Sequence, residues 1–116
     1  MAFTFSKKKK YGNQPIKIDN INFDSQREAN CYCELKMLKM AGEIADIELQ
    51  VPFELIPKFN YKGKTIRAVK YIADFLVTYT DGHKQIIEVK GFKTKDYIIK
   101  KKLLLSQHPD IDFKEV

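Results

Sequence analysis

Asp74, Glu88 and Lys90 are the residues of this 116-residue chain whose types and spacing could do chemistry. They lie in 71–91, YIADFLVTYTDGHKQIIEVKG, where two apolar runs flank Asp81-Gly82, a β-hairpin signature. Burying a charge in such a strand is costly unless it is paired or holds a metal. Side chains on a strand alternate faces, so Glu88 and Lys90 share one and Val89 takes the other. A type I turn with Gly82 left-handed, as a G1 bulge, places Tyr79 opposite His83 and Asp74 opposite Glu88. Ala73, Phe75, Val77, Ile87 and Val89 then make an apolar face, and Asp74 stands beside Glu88 and Lys90 above Leu76 and Ile86. A two-residue loop would shift the register by one and move Asp74 to the face of Val89. The first register is preferred because it sorts the apolar residues. Two adjacent carboxylates repel, and a divalent cation that favours oxygen ligands, Mg²⁺ or Mn²⁺, relieves that. A lysine beside them can orient or help deprotonate a water, or stabilise charge on a phosphate. The plainer alternative is a salt bridge on a solvated sheet face.

The elements that must position these groups follow from pattern. Ser25-Gln26-Arg27-Glu28 fits a capping box, Tyr32, Leu35 and Leu38 recur at helical spacing, and Gly42 is placed to stop the turn, which predicts a helix from Ser25 to Ala41. Glu28 falls mid-face with Cys31, Tyr32 and Leu35 and points toward the sheet, beyond its part in the capping box. Residues 43–59 hold an edge strand, or two segments with a bend, because Pro52 and Pro57 interrupt it. Gln50, polar among Leu49, Val51 and Phe53, is either a site-facing amide or a plain strand residue. Residues 60–64 read as a turn with exposed lysines, and Thr65 begins a long strand running through Asp74. Lys70 shares the Asp74 face and either meets a phosphate or snorkels. A second helix is expected over 95–107, capped by Thr94, with Tyr97, Ile98, Lys101 and Leu105 on one side and Leu103 and Leu104 widening the buried stripe. Lys93, Lys95 and Lys101 help make it basic, and His108-Pro109 ends it. Residues 111–114 alternate as a last strand, reached by a connection long enough for a parallel crossover.

The pattern Asp74, thirteen residues, Glu88-Val89-Lys90 resembles the PD-(D/E)xK nucleases, with Ala73 where the family name has proline. The whole chain is similar to the small phage-encoded endonucleases, some grouped with Holliday-junction resolvases. The order of elements from Ser25 on is the αβββαβ core of that restriction-endonuclease-like fold, an α/β arrangement of α+β type with a mixed central sheet flanked by helices. The resemblance implies a metal-dependent DNA endonuclease in phage recombination or replication. Asp74 and Glu88 would hold Mg²⁺ or Mn²⁺ with the backbone carbonyl of Val89, Lys90 would position the attacking water, and Glu28 would complete the acidic shell. Junction-cleaving relatives work as homodimers. The competing expectation is a non-catalytic nucleic-acid-binding module that kept the fold.

Composition bounds the rest. The length suits a single domain at 21–116 behind a basic arm at 1–20. Lys7, Lys8, Lys9 and Lys10 in that arm either bind phosphates or solubilise the chain, and Ile16, Ile18, Ile21 and Phe23 suggest a short edge hairpin around Asp19-Asn20. A net charge of +6 favours a polyanion partner, DNA in this reading. No apolar run approaches a membrane span and the start lacks a secretory h-region. Cys31 and Cys33, two apart on a helix, point in different directions, make no zinc site and fit a reducing cytoplasm. A glycine-rich phosphate loop and a nucleophile elbow are absent, and His83 and His108 read as surface residues.

Overall fold

The structure, a computed structural model, describes residues 16–89 and 91–116. The basic run Lys7–Lys10 and the motif lysine Lys90 lie outside the described residues. Two short strands, β1 (Ile16–Ile18) and β2 (Ile21–Phe23), pair antiparallel across Asp19 and Asn20, both left-handed (φ 54° and 64°) as a two-residue hairpin turn demands. The boundary expected after residue 20 falls in this turn, and Ile16 and Ile18 already pack on the core.

Helix α1 (Gln26–Met40) follows, and its ends are chemically specified. Ser25 accepts a hydrogen bond from the Glu28 N–H at 3.1 Å. At the other end Gly42 (φ 85°) donates to the Lys39 carbonyl and Glu43 to that of Leu38, a Schellman motif that satisfies the last carbonyls. The buried stripe is Ala29, Tyr32 and Leu35. Cys31 is half-buried and Cys33 exposed, on different sides as two-residue spacing requires.

The central sheet contains β3 (Ile44–Ile56), β6 (Val69–Tyr79), β7 (Lys84–Glu88) and β8 (Asp112–Glu115) in the order β3-β6-β7-β8. Pro52 sits in β3, which is an edge strand. Between β3 and β6 the chain makes a separate ribbon, β4 (Phe59–Tyr61) and β5 (Lys64–Ile66). The single long strand expected from Thr65 is therefore two elements, because Thr65 pairs with Asn60 in the ribbon and the chain leaves the ladder at Arg67-Ala68 before β6 begins. Helix α2 (Lys95–Gln107), capped by the Thr94 hydroxyl, returns the chain so that β8 pairs parallel to β7. With this ribbon and the β1–β2 hairpin set aside, the order is α-β-β-β-α-β, an α+β fold with a mixed sheet.

The sheet has two covered faces. Against α1 lie Phe75, Val77 and Ile87, with Phe23, Tyr32 and Leu35. Against α2 lie Leu76 and Ile86, with Tyr97 and Leu104. Ile98, expected on the buried side of α2, faces solvent, since the helix rests on the sheet through Tyr97 and Leu104, a separation of seven residues.

A candidate active site where the sheet changes phase

The β6–β7 hairpin has the expected register. Phe75 pairs with Ile87, the Tyr79 N–H donates to the His83 carbonyl, and Gly82 is left-handed at φ 98° and donates to the Tyr79 carbonyl. Extended along β6 and β7, this register sets Asp74 opposite Glu88. Val89 packs toward the α1 side, and Glu88 faces the α2 side above Leu76 and Ile86.

One expectation about this strand fails. Ala73 does not share a face with Phe75; with Tyr71 it joins the α2-side core. The alternation slips at Asp74. On β3 the same slip occurs at the residue facing it: Ile47 and Leu49 pack on the α1 side, whereas Val51, Phe53 and Leu55 pack on the α2 side. Gln50 between them is left-handed (φ 52°), and pairing resumes on both sides as Leu49 with Phe75 and Val51 with Ala73. A backbone in that region turns the strand over, which lets odd-numbered residues fill both cores. For a non-glycine residue it is a strained state costing on the order of 1 kcal/mol or more.

Asp74 is thus freed from regular alternation at the end of the β6–β7 ladder. Its Oδ2 accepts from the Val89 N–H at 2.9 Å, in place of a ladder bond. Its own N–H points at Glu88 Oε1, 3.4 Å away. Glu88 is 3% exposed, the one charged residue in the buried core among the described residues. The Tyr71 hydroxyl donates to its Oε1 at 2.5 Å. Burial pushes the Glu88 carboxyl up to about 7, and the negative charge of Asp74 and a carboxyl–carboxylate hydrogen bond with it act in the same direction. The hydrogen bond from Tyr71 opposes them. Burial and Glu88 together hold the Tyr71 hydroxyl protonated well beyond its ordinary range.

Glu28, half-buried on α1, lines a cleft of about 230 Å³ with Asp74, Gln50, Asn22 and Asp24. The predicted acidic residue of the first helix and the predicted polar residue of β3 are therefore brought to Asp74. Glu88 opens instead onto a second cleft of about 210 Å³ with Lys70, Tyr71, Asp96, Tyr97 and Lys100, on the α2 side. The two carboxylates of the motif meet at the end of the central β6–β7 ladder, each reaching a different cleft. Among the described residues no group of three or more His, Cys, Asp or Glu side chains is gathered to hold a metal ion. The donor set that does converge, Asp74 and Glu88, suits Mg²⁺, which commonly takes one or two carboxylates and completes its shell with waters and substrate phosphate.

Of the lysines expected to bind nucleic acid, Lys70 is exposed at the mouth of the Glu88 cleft, and Lys95 is exposed at the start of α2. Lys93 and Lys101 are engaged: both pair with Glu115, at 2.9 and 3.2 Å, and Lys101 also sits 4.6 Å from the Phe113 ring centre. Glu115, which pairs with Glu88 in the parallel β7–β8 register, was not singled out by the sequence. Tyr97 donates to it at 2.5 Å, and this bond together with Lys93 and Lys101 holds its carboxyl down at about 2. Tyr71 and Tyr97 were also missed. A tyrosine within an apolar run needs a partner for its hydroxyl, and that requirement was the available signal.

Residues 8–116 match the family described as protein of unknown function (DUF1064), and the chain belongs to that family. No curated protein and no solved structure matches it significantly.

Proposed function

We propose that the protein is a metal-dependent DNA endonuclease that hydrolyses a phosphodiester. The observation that carries this reading is the contact between Asp74 and Glu88, with burial and mutual repulsion raising Glu88 to about 7. A divalent ion bound between two such carboxylates removes the repulsion that the apo site holds. Asp74, Glu88 and the Val89 carbonyl are the groups that hold Mg²⁺ or Mn²⁺ in this reading. The bound ion supplies Lewis acidity toward a phosphoryl oxygen and lowers the pKa of a water. Tyr71 fixes the Glu88 carboxyl by its hydroxyl, and the Val89 N–H fixes that of Asp74, so neither has to reorganise as charge develops. Glu28 and Gln50, which share the α1-side cleft with Asp74, would receive a water beside it. Lys90, two residues beyond Glu88, orients the attacking water and balances phosphate charge. DNA is the partner, working in a reducing cytoplasm, with a homodimer the assembly the resemblance suggests. Among the described residues no helix is long and apolar enough to cross a membrane.

A second reading has a specific observation in its favour. Glu88, buried, hydrogen-bonded by Tyr71 and with its carboxyl raised by burial, also suits a structural carboxyl in a binding module that kept the fold. Labelled junction, flap and duplex DNA incubated with Mg²⁺ separate the two. Wild type is expected to cut at least one, and Lys90→Ala to cut it about two to three orders of magnitude more slowly while binding as before. Binding without cutting, in Mg²⁺ and in Mn²⁺, would leave the module.

A further inference from the structure

The ribbon between β3 and β6 plays no part in the site described above. It has two described faces. Asn60 and Thr65 make one, joined by a hydrogen bond of 3.1 Å from the Thr65 hydroxyl. Phe59, Tyr61, Lys64 and Ile66 make the other. Among the described residues nothing covers this second face: Phe59 is 47% exposed, Tyr61 58% and Ile66 39%. Its turn, Lys62 and Gly63 at φ 48° and 78°, has the twist of a tight two-residue hairpin, so the face is held in a defined shape. Charge is concentrated here as well. Lys58, Lys62, Lys64, Arg67 and Lys70 fall between Glu54 and Asp74 with no acidic residue among them, in a chain whose net charge is +6. The Lys62 ammonium already lies over the Tyr61 ring, 5.4 Å from its centre.

We infer that this ribbon binds an unpaired segment of DNA, with bases stacked on Phe59 and Tyr61 and phosphates met by Lys62, Lys64 and Arg67. Exposed rings ringed by cations match single strands, because a base offers its flat face only where it is unpaired. A duplex presents edges and phosphates, and a ribbon that reads edges in the major groove needs polar side chains where these rings stand. A second copy of the chain is disfavoured, since a two-fold contact through this face would bring like charges together. The ribbon joins β6 at Val69, five residues before Asp74, about 17 Å along a strand. On the nuclease reading, on which the ribbon's role as a substrate arm rests, the preferred substrate is a duplex carrying a single-stranded branch, such as a flap.

Fluorescence anisotropy in EDTA, with a labelled oligothymidylate and a labelled duplex, tests the inference without any cleavage. Phe59→Ala/Tyr61→Ala is expected to keep the wild-type melting temperature and to weaken oligothymidylate binding at least about 30-fold, with under about threefold loss on duplex. Lys62→Gln/Lys64→Gln is expected to weaken both and flatten the salt dependence. Unchanged oligothymidylate binding by the aromatic variant, equal loss on both DNAs, or a wild-type dimer that the aromatic variant dissociates would each overturn it. Asp74→Asn keeps the ribbon result and loses cleavage if both readings hold. If wild type cuts nothing yet the aromatic variant shows the selective loss, the ribbon stands and the nuclease falls.

Discussion

Replacing Glu88 by glutamine should make the metal-free protein more stable at alkaline pH while abolishing the proposed cleavage. Glu88 is 3% exposed, and its carboxyl is raised from 4.5 to about 7, first by burial and then by Asp74. A group with a raised folded pKa binds more protons in the folded chain than in the unfolded one between those values. Its contribution to stability is therefore full below about 4.5 and is lost as pH rises through about 7. Between pH 5 and pH 8 the loss comes to about 2–3 kcal/mol from this residue. For a chain of this length that is about 10 °C in melting temperature. Glutamine keeps the neutral shape and an amide oxygen to accept from Tyr71, and it cannot ionise. Glu88→Gln should then melt close to wild type at pH 5 and up to about 10 °C above it at pH 8, both in EDTA. On the nuclease reading Mg²⁺ would bind the ionised carboxylate, so at pH 8 it should raise the wild-type transition and leave that of Glu88→Gln in place. Differential scanning calorimetry over this range is sufficient. A Glu88→Gln transition below that of wild type at pH 8 without metal would refute the reasoning, because Glu88 would then be an ionised and well-paired group.

Two further outcomes follow from other residues. Asp74→Asn should remove most of the Mg²⁺- or Mn²⁺-induced rise in melting temperature, and an unchanged rise would place the metal elsewhere. Glu115→Gln should cost about 1 kcal/mol in urea unfolding at pH 7, after discounting for solvent screening. Because Tyr97, Lys93 and Lys101 hold the Glu115 carboxyl down at about 2, that difference should be present above about pH 4.5 and vanish as pH falls toward 2.

Local chemistry made much of this protein legible in its sequence. The caps Ser25 and Thr94, the stop at Gly42 and the Asp81-Gly82 turn act within a few residues, so the two helices and the β6–β7 register could be read directly. The pairing of Asp74 with Glu88 followed from that register, and the inward aim of Glu28 from helical period alone. The phase slip at Gln50 and Asp74 had no such signal. It exists because two cores, one on each face of the sheet, both draw on odd-numbered residues of the same strands, and only a left-handed Gln50 lets them do so. That slip decides which cleft Asp74 reaches, while Glu88 keeps the regular alternation of β7. The Tyr71–Glu88 and Tyr97–Glu115 bonds join residues 17 and 18 positions apart, and the contacts of Lys93, just before α2, and Lys101, on it, with Glu115 depend on how the tertiary fold brings β8 within their reach. Burial of Glu88, and with it the raised carboxyl, arises from packing against α2 and β8, which no short window of sequence contains. The sequence by itself determined the two helices, their caps, the β6–β7 hairpin and the acidic pair; tertiary packing decided the depth, partners and protonation of that pair, because those are set by neighbours far along the chain.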